Sequence, residues 1–241
     1  MIQEALAYLI NLGVENNPIH IVDEKPYSLK QLIPVKEVGP ASLGFNLLDS
    51  LVTYIKENID VYRPTNKLII EIGSPTEISL HTELIGKFNQ RFTPVHCTAL
   101  VTEFPWGRFV SPEEFIIMTQ SRFVETADLA TIKKIAGNVT SEQVLNFSDD
   151  GVSQQVTAKS GIARVENVVV PPKVTLAPYR TFIEIEQPES EFIFRAKKAN
   201  ELPHFALFEA DGGAWRIEAM KRIKVFLEAA LKDIDNIVVL G

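Results

Sequence analysis

Thr181-Phe182-Ile183-Glu184-Ile185-Glu186 sets acids on alternate residues among apolar ones, the period of a strand with one buried and one wet face. Pro188 breaks that ladder, and Phe192-Ile193-Phe194-Arg195 and Phe205-Ala206-Leu207-Phe208 follow as aromatic runs of strand length. Asp211-Gly212-Gly213 supplies a stop. Beyond it Met220, Ile223, Leu227, Ala230, Leu231 and Ile234 recur at helical steps, with Glu218, Lys221, Lys224, Glu228 and Lys232 largely between them. The stretch from Val168 to Leu231 therefore predicts a run of strands covered by one amphipathic helix.

Working upstream, Asp149-Asp150-Gly151 predicts a tight turn joining Val144–Phe147 to Val152–Ala158. Ser111-Pro112-Glu113-Glu114 ahead of Phe115 is a helix start, with serine at the cap, proline in the first turn and glutamate at the third position. A second helix carries Leu129, Ile132, Ile135 and Ala136 on one face and stops at Gly137-Asn138. Leu68–Ile72 and Glu77–Leu80 flank Gly73-Ser74-Pro75-Thr76 as a hairpin, and Val95–Val101 reads as a further strand. Ser42 is the expected cap of a helix striped by Leu48, Leu51, Val52, Ile55 and Ile59. Ile19–Val22 reads as a strand, and Ser28 with Gln31 has the spacing of a capping box that Pro34 ends. Ile2, Leu6, Leu9, Ile10 and Leu12 form an N-terminal helix expected to end at Gly13. No repeat or linker interrupts the pattern. The expectation is one α+β domain over residues 1–241, with a helical arm at 1–13, antiparallel or mixed sheets from hairpins, and helices on one face.

A chain of 241 residues with 46% hydrophobic and 23% charged residues can bury a full core. Its net charge of -7 argues against coating DNA, which requires a basic surface. Lys133-Lys134, Arg195 with Lys197-Lys198, and Lys221-Arg222 with Lys224 are small basic groups that read as solvated faces. The single Cys97 allows no internal disulfide and fits a reducing cytoplasm. No apolar run is long enough to cross a bilayer, and the first residues lack a signal-peptide pattern, so no membrane role is expected. Asn138-Val139-Thr140 and Asn146-Phe147-Ser148 match the glycosylation pattern by chance on that reading.

Neither a phosphate-binding Walker loop nor a dinucleotide fingerprint is present, and no cofactor or metal is expected. His20, His81, His96 and His204 are isolated, with no cysteine pair to complete a zinc site. His96 and Cys97 are adjacent on a strand and point to opposite faces, which separates base from nucleophile. Glu184, Glu186, Glu189 and Glu191 form the densest acidic group; they offer oxygen ligands for a divalent cation or, more simply, mark a wet sheet face. The candidates for ligand or partner contact are His96, Trp106, Arg108, Asp211 and Trp215. Trp106-Gly107-Arg108 has the character of a loop-borne recognition patch or a plug over the core, and Asp211-Gly212-Gly213-Ala214-Trp215 that of a pocket lip or a helix cap.

The order of several motifs resembles the YfdQ-like family of phage and prophage proteins, a domain of unknown function. They are Pro26-Tyr27-Ser28-Leu29-Lys30-Gln31-Leu32-Ile33-Pro34, the helix around Leu48–Ile55, His96-Cys97-Thr98-Ala99-Leu100, Trp106, Ser111 with Glu113-Glu114-Phe115, and the Leu145–Gln155 hairpin. The likeness spans about residues 19–175; Gln187-Pro188-Glu189-Ser190 and the Asp-Gly-Gly turn depart from the basic, tyrosine-rich strands of many members. The resemblance implies an early, non-virion role near recombination and nucleotide metabolism and carries over no catalytic residue. Three functions follow as expectations. The first is a non-enzymatic accessory protein that binds a phage or host partner as a homo-oligomer, in DNA metabolism or counter-defence. The others are a self-assembling shell or ring protein and a metal-dependent enzyme of nucleotide or nucleic-acid metabolism.

Overall fold

The computed structural model describes residues 2–16, 19–22, 25–28, 39–86, 89–138, 148–149, 154–160, 164–199 and 202–241. The chain divides into two compact units, one comprising residues 1–39 with 86–90 and the other residues 40–85 with 91–241.

The smaller unit holds helix α1 (Ile2–Asn16) and the antiparallel hairpin of β1 (Ile19–Val22) and β2 (Lys25–Ser28). Helix α1 continues through Gly13 rather than ending there. Ser28 is the last residue of β2, and the rest of the expected capping box, from Leu29 to Pro34, lies outside the described residues.

In the larger unit β3 (Leu43–Phe45), β4 (Leu68–Ser74), β5 (Glu77–Thr82), β6 (Val95–Thr98) and β13 (Ile237–Leu240) form a five-stranded mixed sheet in the order β13-β4-β5-β6-β3. The β4–β5 and β5–β6 pairs are antiparallel, and the outer pairs β13–β4 and β3–β6 are parallel. Period-two burial gives Leu68, Ile70, Ile72, Ile78, Leu80, Val95 and Cys97 to one face. Helix α2 (Leu48–Lys56) covers that face with Leu48, Leu51, Val52 and Ile55, and helix α5 (Ala214–Ala230) with Ile223 and Leu227. Ser42 does not cap α2: its Oγ donates to the Thr93 carbonyl, and β3 intervenes before the helix begins at Leu48.

A second core lies where helices α3 (Pro112–Arg122) and α4 (Ala127–Asn138) pack on the antiparallel sheet of β10 (Lys173–Leu176), β11 (Ser190–Ala199) and β12 (Leu202–Glu209). The expected cap of α3 forms, with Ser111 Oγ accepting from the Glu114 amide at 3.3 Å, and Leu129, Ile132, Ile135 and Ala136 of α4 are all buried. A further antiparallel sheet joins β7 (Ser148–Asp149), β8 (Gln154–Ser160) and β9 (Arg164–Val170). Val144–Phe147 and the Asp150-Gly151 turn lie outside the described residues.

The C-terminal stretch also departs from expectation. Thr181–Glu186 is not a strand but a run of turns between β10 and β11. The chain leaves the three-stranded sheet here, seats Phe182 and Ile185 in the core of the five-stranded one, and returns at Ser190. The alternating acids answer to distant partners instead of a pleat. Glu184 Oε1 accepts from the Asp49 amide in the first turn of α2 at 3.3 Å, where a carboxylate suits the helix N-terminus, and Glu186 pairs with Arg222 at 3.2 Å. Helix α5 packs on a sheet as expected, but the sheet is the five-stranded one, which it meets at β4, and not the β11–β12 hairpin from which it emerges.

Candidate functional site

A cleft of about 380 Å³ opens within the larger unit, where the turn between β4 and β5, the loop after β6, the end of α3, the segment after β10 and the start of α5 converge. Trp215 is placed by the turn before α5. Gly212 and Gly213 take φ of 64° and 84°, a left-handed conformation that other residues adopt only with strain. The Asp211 carboxylate accepts from the amides of Gly213 at 2.9 Å and Trp215 at 3.1 Å, as expected of a helix cap.

Arg180 meets Trp215 from the opposite wall, its guanidinium 3.9 Å from the ring centroid. It is only 8% exposed, and its fork donates to Glu209 Oε1 at 3.1 Å, to Ser190 Oγ at 2.5 Å and to the Pro188 carbonyl at 3.4 Å. Burial pulls its pKa down to about 10 against the opposing fields of Glu209 and Asp211, so it is charged at neutral pH. Gln187 holds the surrounding backbone, accepting from the Arg180 amide at 3.1 Å and donating to the Phe182 carbonyl at 3.0 Å.

Trp106 forms another part of the lining. Its ring stacks on Phe192 at 5.0 Å and touches Phe104 at 4.6 Å, so it is both a plug over the second core and a cleft wall. Arg122, which donates to the Glu103 carbonyl, and Arg216, whose guanidinium lies 5.2 Å from the Trp215 ring, also line the cleft. Trp215 Nε1 and Arg180 Nε are buried away from the cleft surface and have no hydrogen-bond partner among the described residues.

The structure thus brings Trp106 and Trp215 together, with Asp211 as support behind the latter. His96 stands apart, exposed on β6 with Nδ1 3.0 Å from Ser79 Oγ, and Arg108 is exposed in the turn after Trp106, outside the cleft lining. Cys97 faces away from His96, and its thiol donates to the Leu47 carbonyl at 3.3 Å. The four glutamates disperse to different tasks: Glu191 pairs with Lys173 at 2.7 Å and Glu189 is exposed, while Glu184 and Glu186 are committed as above. Among the described residues no group of three or more His, Cys, Asp or Glu is disposed to hold a metal ion, and no helix is long and apolar enough to cross a membrane.

Sequence reasoning passes over Arg122, Arg180 and Arg216. The only local signals are Arg216 beside Trp215 and a lone cation after Pro178-Tyr179. No protein-family model, curated protein or solved structure was found to match the chain.

Proposed function

We propose that the protein works by binding, and that its ligand is a small molecule held in the cleft between Trp106 and Trp215. The observation that supports this is the convergence of two tryptophans and of Arg122, Arg180 and Arg216 on one cleft, with the Arg180 guanidinium held against the Trp215 ring. The volume is that of a pocket for a compact organic molecule, and aromatic walls with a few converging polar groups are the usual composition of such sites. An accessory role among early phage functions, as the YfdQ-like resemblance implies, suits a protein that responds to a ligand instead of transforming it.

The chain has two tryptophans, and both line the cleft, so its intrinsic emission reports on this site. Ligand binding is expected to shift or quench that emission and to raise the unfolding midpoint together. A ligand that stabilises the protein while leaving the tryptophan signal unmoved would place its site elsewhere.

Self-association is a second reading, supported by α1, where Ile2, Leu6, Leu9 and Ile10 are exposed. Light scattering of the full chain beside a Leu6→Glu, Leu9→Glu variant tests it; a monomer in the parent chain rejects it.

A further inference from the structure

We propose that the open edge of β13 is a homodimer interface, where the strand pairs antiparallel with β13 of a second copy about a two-fold axis through Val238. The two five-stranded sheets then join into one; neither the ligand cleft nor α1 is involved. β13 is the outermost strand of its sheet, with β4 as its one neighbour among the described residues. The Leu68 amide donates to the Asn236 carbonyl at 2.9 Å, which fixes the phase of the parallel ladder. Val238 and Leu240 therefore turn their backbone groups to β4, and the N–H and C=O of Ile237 and Val239 point out of the sheet. Soluble proteins guard such edges with lysine, proline or a bulge. The Ile237-Val238-Val239-Leu240 run carries none of these, its register with β4 is unbroken, and Val238 and Leu240 are 41% and 51% exposed.

A second copy fits this edge because the edge is complementary to itself. In an antiparallel pair, residues whose backbone groups face outward must stand opposite each other, so Ile237 pairs with the partner's Val239 and Val239 with the partner's Ile237. Val238 then meets its own counterpart on the axis as a close apolar pair, with Leu240 of each copy diagonally beside it. The same register sets Asp235 opposite the partner's Gly241, where the partner's Lys224 donates to a Gly241 backbone oxygen at 3.4 Å. Two equivalent Asp235–Lys224 pairs result. Glu228 and Lys232 also line the groove along the edge, so acids and bases balance over the joined surface. Helix α5 overlies both β4 and β13. A strand spacing of about 4.8 Å thus brings the two α5 helices side by side at about 10 Å, the distance of packed helices.

The test is sedimentation velocity of the full chain over about a hundredfold range of concentration, with amide hydrogen exchange read at Ile237 and Val239. A reversible dimer is expected, with both amides protected. Val238→Lys should weaken it by at least about tenfold and expose both amides, whereas Val238→Thr, which keeps the β-branch, should retain it. Lys224→Glu should weaken it by about fivefold, and Lys224→Glu with Asp235→Lys should restore it. That exchange of charges tests the register even if Val238→Lys disturbs the fold. Leu6→Glu, Leu9→Glu should leave this dimer intact. A monomer at every concentration overturns the proposal, as does free exchange at Ile237 and Val239. A dimer abolished by the α1 variant but untouched by Val238→Lys and Lys224→Glu overturns it as well, and assigns association to α1.

Discussion

The guanidinium of Arg180 lies 3.9 Å from the centroid of the Trp215 ring, joining the segment after β10 to the first turn of α5. The same side chain satisfies Glu209, Ser190 and a carbonyl, so it holds the wall of the cleft as well as lining it. Arg180→Ala is expected to cost about 3–5 kcal/mol in urea denaturation, because Glu209 and Ser190 lose their shared partner. Arg180→Lys should recover little of this, since an ammonium cannot reproduce the planar fork. Full recovery by lysine would show that charge alone matters here.

Phe182 and Ile183 separate a turn from a strand by experiment. Phe182 is 1% exposed and Ile183 is 72% exposed. Phe182→Ala should destabilise by about 3–5 kcal/mol and Ile183→Ala by under about 0.5 kcal/mol. Comparable losses at the two positions would contradict the conformation described for this segment.

Cys97 and Tyr54 give stability a dependence on alkaline pH. Burial, reinforced by Glu184, pushes the Cys97 thiol from 9.0 up to about 12. Burial and the hydrogen bond to Asp60 push the Tyr54 hydroxyl up as well. A pKa raised by folding means that the unfolded chain releases its proton first. The stability is therefore intact below the unfolded value and declines as pH rises from 9 toward 12. Urea midpoints at pH 8 and 10.5 should show that loss, and Cys97→Ala should reduce the difference between them. At pH 8 the native thiol should resist a disulfide reagent that labels it fully in urea. Rapid labelling of the native protein would refute its burial.

Val61 has φ of 54°, a left-handed conformation that is strained for a β-branched residue, and its side chain is 79% exposed. The turn around it is held by Asn58, whose Oδ1 accepts from the Tyr62 amide at 2.7 Å, and by Tyr54 donating to Asp60 at 2.6 Å. Val61→Gly relieves the strain and loses no buried contact, while adding some chain entropy to the unfolded state. A net gain of about 0.5–1 kcal/mol is expected by thermal melting. A lower melting temperature would mean the valine makes a contribution that exposure does not reveal.

What is legible in the chain and what is not divides along the range of the interactions. The β4–β5 hairpin, the Ser111 cap, the buried face of α4 and the β11–β12 runs are written in neighbouring residues, and each appears where local spacing directs it. Thr181–Glu186 has the right period for a strand, yet its acids are spaced by a helix N-terminus and by Arg222, partners remote in sequence. Ser42 has the chemistry of a cap but is drawn to Thr93. In the cleft, Trp106, Trp215 and Asp211 stand out as residue types in informative turns. The arginines do not, because a guanidinium gains meaning from the ring or carboxylate opposite it, and that pairing exists only once the two layers meet.

The excursion of Phe182 and Ile185 also bears on how the larger unit comes apart. Its two layered halves are sewn together by a strand-to-strand connection that borrows its anchor from the neighbouring core. Melting either half withdraws support from the other, so the pair should act as one cooperative block, with slow amide exchange in β4 and β11 collapsing at the same denaturant concentration.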